Sequence, residues 1–373
     1  MTARVPTTKR QVLTLLMTER CNLRCTYCYE SKDRRGRLSS VTAKSAILEA
    51  FGRPGFDELE IDFFGGEPML EFERIRDICE WLWSEPRTKP HVCFATTNGT
   101  LVHGEVQEWA FRNRERILLG LSLDGTPEMH NRNRSNSYSK IDLDFFRRAW
   151  PQQPVKMTVS RETLGAMAEG VIYIHEAGFM VLCTYAFGTE WQQRDTGVFE
   201  RELKKLVDYY LAHPEIEPSN VVTMAVAYSG SAAPPKNYCG TGKAMSVVNV
   251  DGKRYPCQTF LPVSTGKTLD DMKHVFARLQ DEEHNGTGRC KDCCLLAICQ
   301  TCYGMNYIQY GDPFARGELN CTFSKIRARA SAYMLAEMIA HRHRGYVYLN
   351  GKTDTDIFYM ISGIMAVREA VGL

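Results

Sequence analysis

Three cysteines within eight residues, Cys21, Cys25 and Cys28 in the run CNLRCTYC, constrain this chain more than any other feature. They follow directly on the apolar run Val12–Met17. A gap of three residues and then one of two folds three thiolates around one iron-sulfur cube and leaves its fourth iron without a protein ligand. That open iron is a place for chemistry. A zinc site would ask for four ligands in closed C-x2-C pairs, and a disulfide framework suits a small exported domain, so the spacing fits both poorly.

Composition narrows the class further. With 46 basic against 44 acidic residues the chain is almost neutral, which gives no electrostatic footprint for nucleic acid or for an acidic lipid surface. The N-terminal apolar run is six residues, too short for a signal peptide's apolar region and far too short to span a membrane. Most of the 14 cysteines fall into metal-type spacings, so a reducing compartment and a cytoplasmic location are expected.

A length of 373 residues favours two or three domains. Val12–Met17, Leu59–Phe64, His91–Thr97, Ile117–Leu123, Val155–Ser160 and Met180–Ala186 read as strands. Thr42–Ala50, Phe72–Trp83, Gly104–Asn113, Ile141–Trp150, Leu164–Ala177 and Gly197–His213 have helical spacing. Six repeats of strand then helix imply an α/β fold of parallel strands with right-handed crossovers, either a doubly wound sheet or a partial barrel. The proline-rich segment 214–235 reads as a connector and 236–325 as a cysteine-rich unit. A helical tail over 326–373 completes the chain, with a helix over Thr322–His343, a short hairpin-like piece and a final helix. His341 and His343 read as a solvated helix end.

Gly65-Gly66-Glu67-Pro68 follows the second strand, where glycines let the backbone approach a ligand and a carboxylate can hold a charged amino group. Thr97-Asn98-Gly99-Thr100 ends the third strand and Ser122-Leu123-Asp124-Gly125 the fourth. The second cysteine block runs Cys239, Cys257, Cys290-x2-Cys293-x5-Cys299-x2-Cys302 and Cys321. Seven thiolates in a loop-rich segment can replace a hydrophobic core, because metal ligation supplies folding energy; zinc knuckles are the alternative to iron-sulfur clusters. Cys79, Cys93 and Cys183 stand alone in apolar contexts and read as small buried hydrophobes.

The first motif resembles that of the radical S-adenosylmethionine (SAM) enzymes, CxxxCx(aromatic)C after a first strand, with Tyr27 in the aromatic slot. The resemblance implies a [4Fe-4S] cluster on Cys21, Cys25 and Cys28 whose open iron chelates SAM. Reductive cleavage of SAM to a 5′-deoxyadenosyl radical would follow, with a flavodoxin- or ferredoxin-type reductant as electron source. It favours a partial (β/α)6 TIM-like barrel, open on one side, over residues 1–213, with the site at the strands' carboxyl ends. It assigns Gly65, Gly66, Glu67 and Pro68 to the SAM amino group and Ser122 to the SAM carboxylate or ribose. Asp124, Asn98, Lys156 and Ser160 are further candidates for that shell.

Gly252–Cys257 and the spacings around it resemble the SPASM extension of these enzymes, a small loop-rich iron-sulfur domain carrying two auxiliary clusters. By that resemblance Cys290, Cys293, Cys299 and Cys321 hold the distal auxiliary cluster, and Cys239, Cys257 and Cys302 the nearer one. The usual gap before the fourth clustered cysteine is three residues and here it is two, Gln300 and Thr301. No eighth cysteine lies near Cys239, so the nearer cluster is expected to have an open iron or to borrow a ligand from substrate, with Cys294 the spare ligand to check.

SPASM enzymes mostly modify peptides or proteins. The leading expectation is an oxidoreductase that abstracts hydrogen from a side-chain carbon of a ribosomal precursor peptide and closes a carbon-carbon or thioether cross-link. The alternative is a sulfatase-type maturase forming formylglycine. That group carries Asp directly after the G-x4-C cysteine, where this chain has Gln258, and a neutral amide cannot accept the released proton. An iron-sulfur electron-transfer protein without SAM chemistry conflicts with the intact cysteine triplet and Gly66-Glu67-Pro68. Little chain precedes the first strand, so leader recognition is expected to use the barrel rim, the connector or a separate leader-binding protein.

Overall fold

The computed structural model describes residues 9–31, 35–229, 239–280 and 290–371. In chain order the strands are β1 (Arg10–Thr18), β2 (Glu58–Gly65), β3 (His91–Thr97), β4 (Ile117–Leu121), β5 (Val155–Val159), β6 (Val181–Tyr185), β7 (Met245–Val248) and β8 (Arg254–Tyr255). The first seven helices are α1 (Ser40–Gly52), α2 (Phe72–Trp83), α3 (Glu105–Arg112), α4 (Pro127–Asn133), α5 (Leu143–Ala149), α6 (Met167–Glu176) and α7 (Gln193–Ala212). They are followed by α8 (Pro262–Thr265), α9 (Lys273–Gln280), α10 (Tyr303–Tyr310), α11 (Glu318–Ala340) and α12 (Asp354–Val371).

Local sequence explains most of these boundaries. β1 is buried along almost its whole length, as a central parallel strand covered on both faces must be. β2 alternates, with Leu59, Ile61 and Phe63 buried and the acidic residues between them half-buried. α1 starts where the Ser39 hydroxyl accepts from the Thr42 N–H at 3.0 Å. α2 buries Phe72, Ile75, Ile78, Cys79 and Leu82, one stripe at helical spacing. The sequence reading missed α4, which has little apolar periodicity. It is set by Thr126, whose hydroxyl accepts from Met129 N–H, and by Pro127 in the first turn.

The chain divides into two compact units. The first comprises residues 9–122, 137–153 and 239–280 of the described chain. Its sheet runs β4-β3-β2-β1-β7-β8, parallel throughout except for the antiparallel β7–β8 pair. Val12 to Leu15 of β1 lie opposite Met245 to Val248 of β7, so a segment far along the chain completes the sheet beside the first strand.

The second unit comprises residues 123–136, 154–229 and 290–371. β5 and β6 pair in parallel there, and α11 packs against α7 and α12. A buried cluster of Met224, Val226, Leu295, Ile298, Ala328 and Leu335 gives this unit an apolar core of its own. Of the connector, residues 214–229 contain a 3-10 turn at Val226–Tyr228, and 230–238 lie outside the described residues. The expected hairpin-like piece is instead two 3-10 turns, Arg342–Arg344 and Val347–Leu349. The reason is composition: Arg342 to Gly345 lacks apolar alternation, and Gly345 turns the chain at φ 73°. His341 and His343 are exposed at the end of α11, with His341 near Glu337. No helix among the described residues is long and apolar enough to cross a membrane.

Candidate functional site

In the first unit the loops after β1, β2 and β3 meet at the carboxyl ends of their strands. Cys21, Cys25 and Cys28 lie on the first of these, half-exposed, and none is in a disulfide. The Leu23 N–H donates toward Cys21 Sγ at 3.4 Å and the Cys28 N–H donates to Cys25 O at 3.2 Å. Tyr27 is half-exposed on the same turn.

The two glycines after β2 permit this meeting. A Cβ on Gly65 would stand 2.3 Å from Thr18 O, and one on Gly66 would stand 2.5 Å from Arg20 O and 2.9 Å from Cys21 Cβ. Without side chains the two loops hydrogen-bond instead: Gly66 N–H to Thr18 O at 3.1 Å and Glu67 N–H to Arg20 O at 2.9 Å. Pro68, buried, opens the short turn Pro68–Glu71.

Glu67 is 1% exposed, and its carboxylate is turned into the protein. Oε1 accepts from Met69 N–H at 3.1 Å and from the Thr97 hydroxyl at 2.7 Å, while Oε2 accepts from Asn98 N–H at 2.8 Å. The side chain expected to face a ligand's amino group therefore anchors the third loop, leaving backbone groups of Gly65–Pro68 to present themselves. Asn98, also buried, donates through Nδ2 to Asn22 Oδ1 at 2.8 Å, and its Oδ1 accepts from Thr100 N–H at 3.0 Å and Thr100 Oγ1 at 2.7 Å. Asn22 closes the circuit by donating to Thr100 Oγ1 at 2.8 Å. Asn22, Thr97 and Thr100 were missed by sequence reasoning. Their only signal was position, Asn22 inside the cysteine motif and the threonines at a strand end. Ser122, buried, is held by its N–H to Thr97 O at 2.9 Å.

The other expected shell residues belong to the second unit. Asp124 is fully buried: Oδ1 accepts from Thr158 N–H at 2.9 Å and Oδ2 from Asn133 Nδ2 at 3.2 Å, with Arg134 Nε at 2.9 Å. Its carboxylate joins β5 to α4. Its own N–H donates to His130 Nδ1 at 3.3 Å. Burial, reinforced by Arg134, pulls the His130 pKa down to about 4, so this imidazole is neutral near pH 7. Lys156 is half-buried on β5, and Ser160 is buried beside Thr163, whose hydroxyl accepts from Ser160 N–H at 3.0 Å.

A cavity of about 260 Å³ in the second unit is lined by Cys290, Cys293, Cys299, Cys302 and Cys321, with Tyr185 on its wall. Burial pushes the Cys290 thiol up; Arg316 opposes this, while the neighbouring Cys299, Cys293 and Cys321 add to it. Thiols crowded in this way suit a cationic iron-sulfur group, which favours their thiolate forms. Among the described residues no three His, Cys, Asp or Glu side chains converge as a single metal ion would require. A cubane asks each thiolate to reach a different iron and needs no such convergence.

Cys294 is turned away from this cavity. Its thiol points to Ala366 O on α12 at 3.6 Å and packs against the unit's apolar core. Its place is explained by chain geometry: side chains of adjacent residues diverge, and Cys293 takes the cavity side. Cys239 and Cys257 lie in the first unit on neighbouring segments, with Gly242 N–H donating to Pro256 O at 3.3 Å. Each thiol stands 3.1 Å from a threonine hydroxyl, Thr241 and Thr259 respectively. The isolated cysteines are buried, as expected, with Cys79 Sγ 3.8 Å from Cys93 Sγ. Burial pushes the Cys183 thiol up to about 12.

The family model of the radical SAM superfamily matches residues 15–149, which hold the cysteine loop and the two other strand-end loops just described. This stretch of the chain is a radical SAM domain. A cysteine-type anaerobic sulfatase-maturating enzyme of Clostridium perfringens (strain ATCC 13124) is 25% identical over 325 residues, covering 75% of this chain and 85% of that relative. Among solved structures, native anSMEcpe with bound AdoMet and Kp18Cys peptide superimposes with TM-score 0.66 at 18% identity, over 89% of this chain and 99% of that one. Streptococcus suis SuiB bound to precursor peptide SuiA superimposes with TM-score 0.58 at 17% identity, over 84% and 76%. The fold shared with them is α/β with a mostly parallel sheet that is not closed, followed by a cysteine-rich C-terminal region.

Proposed function

We propose that this chain is a radical SAM peptide maturase that removes hydrogen from a side-chain carbon of a ribosomal precursor peptide and closes a carbon-carbon or thioether cross-link. The observation that supports it is the hydrogen-bonded circuit of Asn22, Glu67, Thr97, Asn98 and Thr100, which holds the cysteine loop and two strand-end loops as one platform. Cys21, Cys25 and Cys28 would hold a [4Fe-4S] cluster on that platform. Bound together, the cluster and SAM supply a radical able to take hydrogen from an unactivated C–H bond.

The chain's own residues do the positioning. Backbone groups of Gly65 to Pro68 face the ligand because the Glu67 carboxylate is spent on Met69, Thr97 and Asn98. Ser122 would meet the SAM carboxylate or ribose, with Tyr27 covering the cluster. Cys290, Cys293, Cys299 and Cys321 would hold one auxiliary cluster, and Cys239, Cys257 and Cys302 a second with an iron left open to substrate.

A second reading, a sulfatase-type maturase, is favoured by the 25% identity over three quarters of this chain. Against it stands Gln258, a neutral amide at the position of that group's base; it opens the turn Gln258–Phe260 directly after Cys257. One comparison separates the two. The anaerobically reconstituted protein is given SAM and either a peptide encoded beside its gene or a sulfatase-type Cys or Ser peptide. The leading reading expects loss of two hydrogens, about 2 Da per cross-link, in the neighbouring peptide alone. Aldehyde formed only in the sulfatase-type peptide would replace it with the second. If substitution of Cys21, Cys25 and Cys28 by Ala left reductive SAM cleavage undiminished, both would fall.

A further inference from the structure

The two cysteines of the second block that lie in the first unit share a local pattern, Cys239-Gly240-Thr241 and Cys257-Gln258-Thr259. In each, the thiol stands 3.1 Å from the threonine hydroxyl two residues on. Separate turns hold the two contacts. Gly240 takes φ 73°, the left-handed conformation glycine adopts without strain, and its carbonyl accepts from Lys243 N–H at 2.9 Å and Met245 N–H at 2.8 Å. Cys257 instead opens the 3-10 turn Gln258–Phe260, its carbonyl accepting from Phe260 N–H at 3.1 Å. Two different backbones thus arrive at one arrangement of thiol and hydroxyl. Both threonines are shielded from water, Thr241 being 2% and Thr259 7% exposed, and a hydrogen bond in such low-dielectric surroundings is stronger. Gln258, between Cys257 and Thr259, adds no charge beside them.

We propose that Thr241 and Thr259 poise the nearer auxiliary cluster as an electron acceptor, acting as positioning residues that each donate a hydroxyl proton to a ligating thiolate. The inference rests on the reading that Cys239 and Cys257 hold that cluster. A thiolate bound to iron carries no proton, so in each Cys–Thr pair the hydroxyl is the donor. An added electron makes the cluster's sulfurs more negative, and a hydrogen bond to a more negative acceptor is stronger. The two bonds therefore favour the reduced cluster and raise its reduction potential. The step they serve is a one-electron oxidation. As the substrate's carbon radical closes a bond to a nucleophile, the nucleophile's proton passes to water and one electron passes to the cluster, which is reduced by one.

The test uses the full chain carrying Cys21→Ala, Cys25→Ala and Cys28→Ala, reconstituted anaerobically so that only the second cysteine block holds clusters. This parent is compared with a Thr241→Val/Thr259→Val variant, which keeps the side-chain shape and removes the hydroxyls, and with a Thr241→Ser/Thr259→Ser variant, which keeps the hydroxyls. Iron is counted, and midpoint potentials are read by redox titration followed by electron paramagnetic resonance. The expected result is full iron in all three proteins and, in the Val variant, one of the two auxiliary transitions moved to more negative potential. The expected size is a tenfold change in the reduction equilibrium, about 59 mV for one electron. The Ser variant should titrate as the parent does. An unmoved potential in the Val variant overturns the proposal. So does the same fall in the Ser variant, an equal fall of both transitions, or loss of iron from the Val variant, each of which would mark the threonines as packing groups. Fewer than two clusters in the second block of the parent would instead strike the reading of Cys239 and Cys257 as ligands.

Discussion

Glu67 shows how a motif residue acts through others. Three donors converge on its buried carboxylate, so Glu67→Gln would turn an amide N–H₂ toward at least one of them. The expected outcome is a loss of about 1–3 kcal/mol in unfolding free energy, read by denaturant titration, together with weaker SAM binding. His130 provides a pH test. Its folded pKa of about 4 lies below the ordinary value of 6.5, so the unfolded chain binds the proton more readily. The contribution is intact above about pH 6.5 and is lost as pH falls from there toward 4, by up to about 1.4 kcal/mol per pH unit. Melting temperatures of His130→Asn and the parent protein between pH 7 and 5 should diverge most at the neutral end. A constant difference would exclude the neutral, buried imidazole.

Among the elements, the parallel strands and amphipathic helices were legible because their periods are local. The Phe72–Trp83 helix and the His91–Thr97 strand match to the residue, since their apolar stripes begin and end with the element. α4 was not legible, because a cap and a proline define it rather than a stripe. Nor was the parallel pairing of β7 with β1, residues more than two hundred positions apart. The turn after β2 gives a further prediction. Gly66→Ala places a Cβ against Arg20 O and Cys21 Cβ, so the cysteine loop must shift. Reconstituted Gly66→Ala should lose about four irons per chain, those of the first cluster, while the second cysteine block stays loaded. Full loading would show that the loops can separate without cost to the site.

Across the whole molecule, the proposed set of three clusters predicts on the order of a dozen irons and as much sulfide per chain, against about four irons plus zinc for zinc knuckles. Cys299→Ala should lower that content, whereas Cys294→Ala should leave it unchanged because its thiol faces α12. Equal losses in both would reopen Cys294 as a ligand. The cysteine spacings, the succession of strands and helices and the strand-end glycines were determined by the sequence itself, because each is a relation between residues near in the chain. What only the tertiary structure decided depends on atoms brought together from afar. Glu67 turns inward because Thr97 and Asn98 supply its donors, Asn22 becomes the link between two loops, and Cys294 joins an apolar core. Burial and hydrogen-bond partners are set by long-range packing, and local spacing carries no record of them.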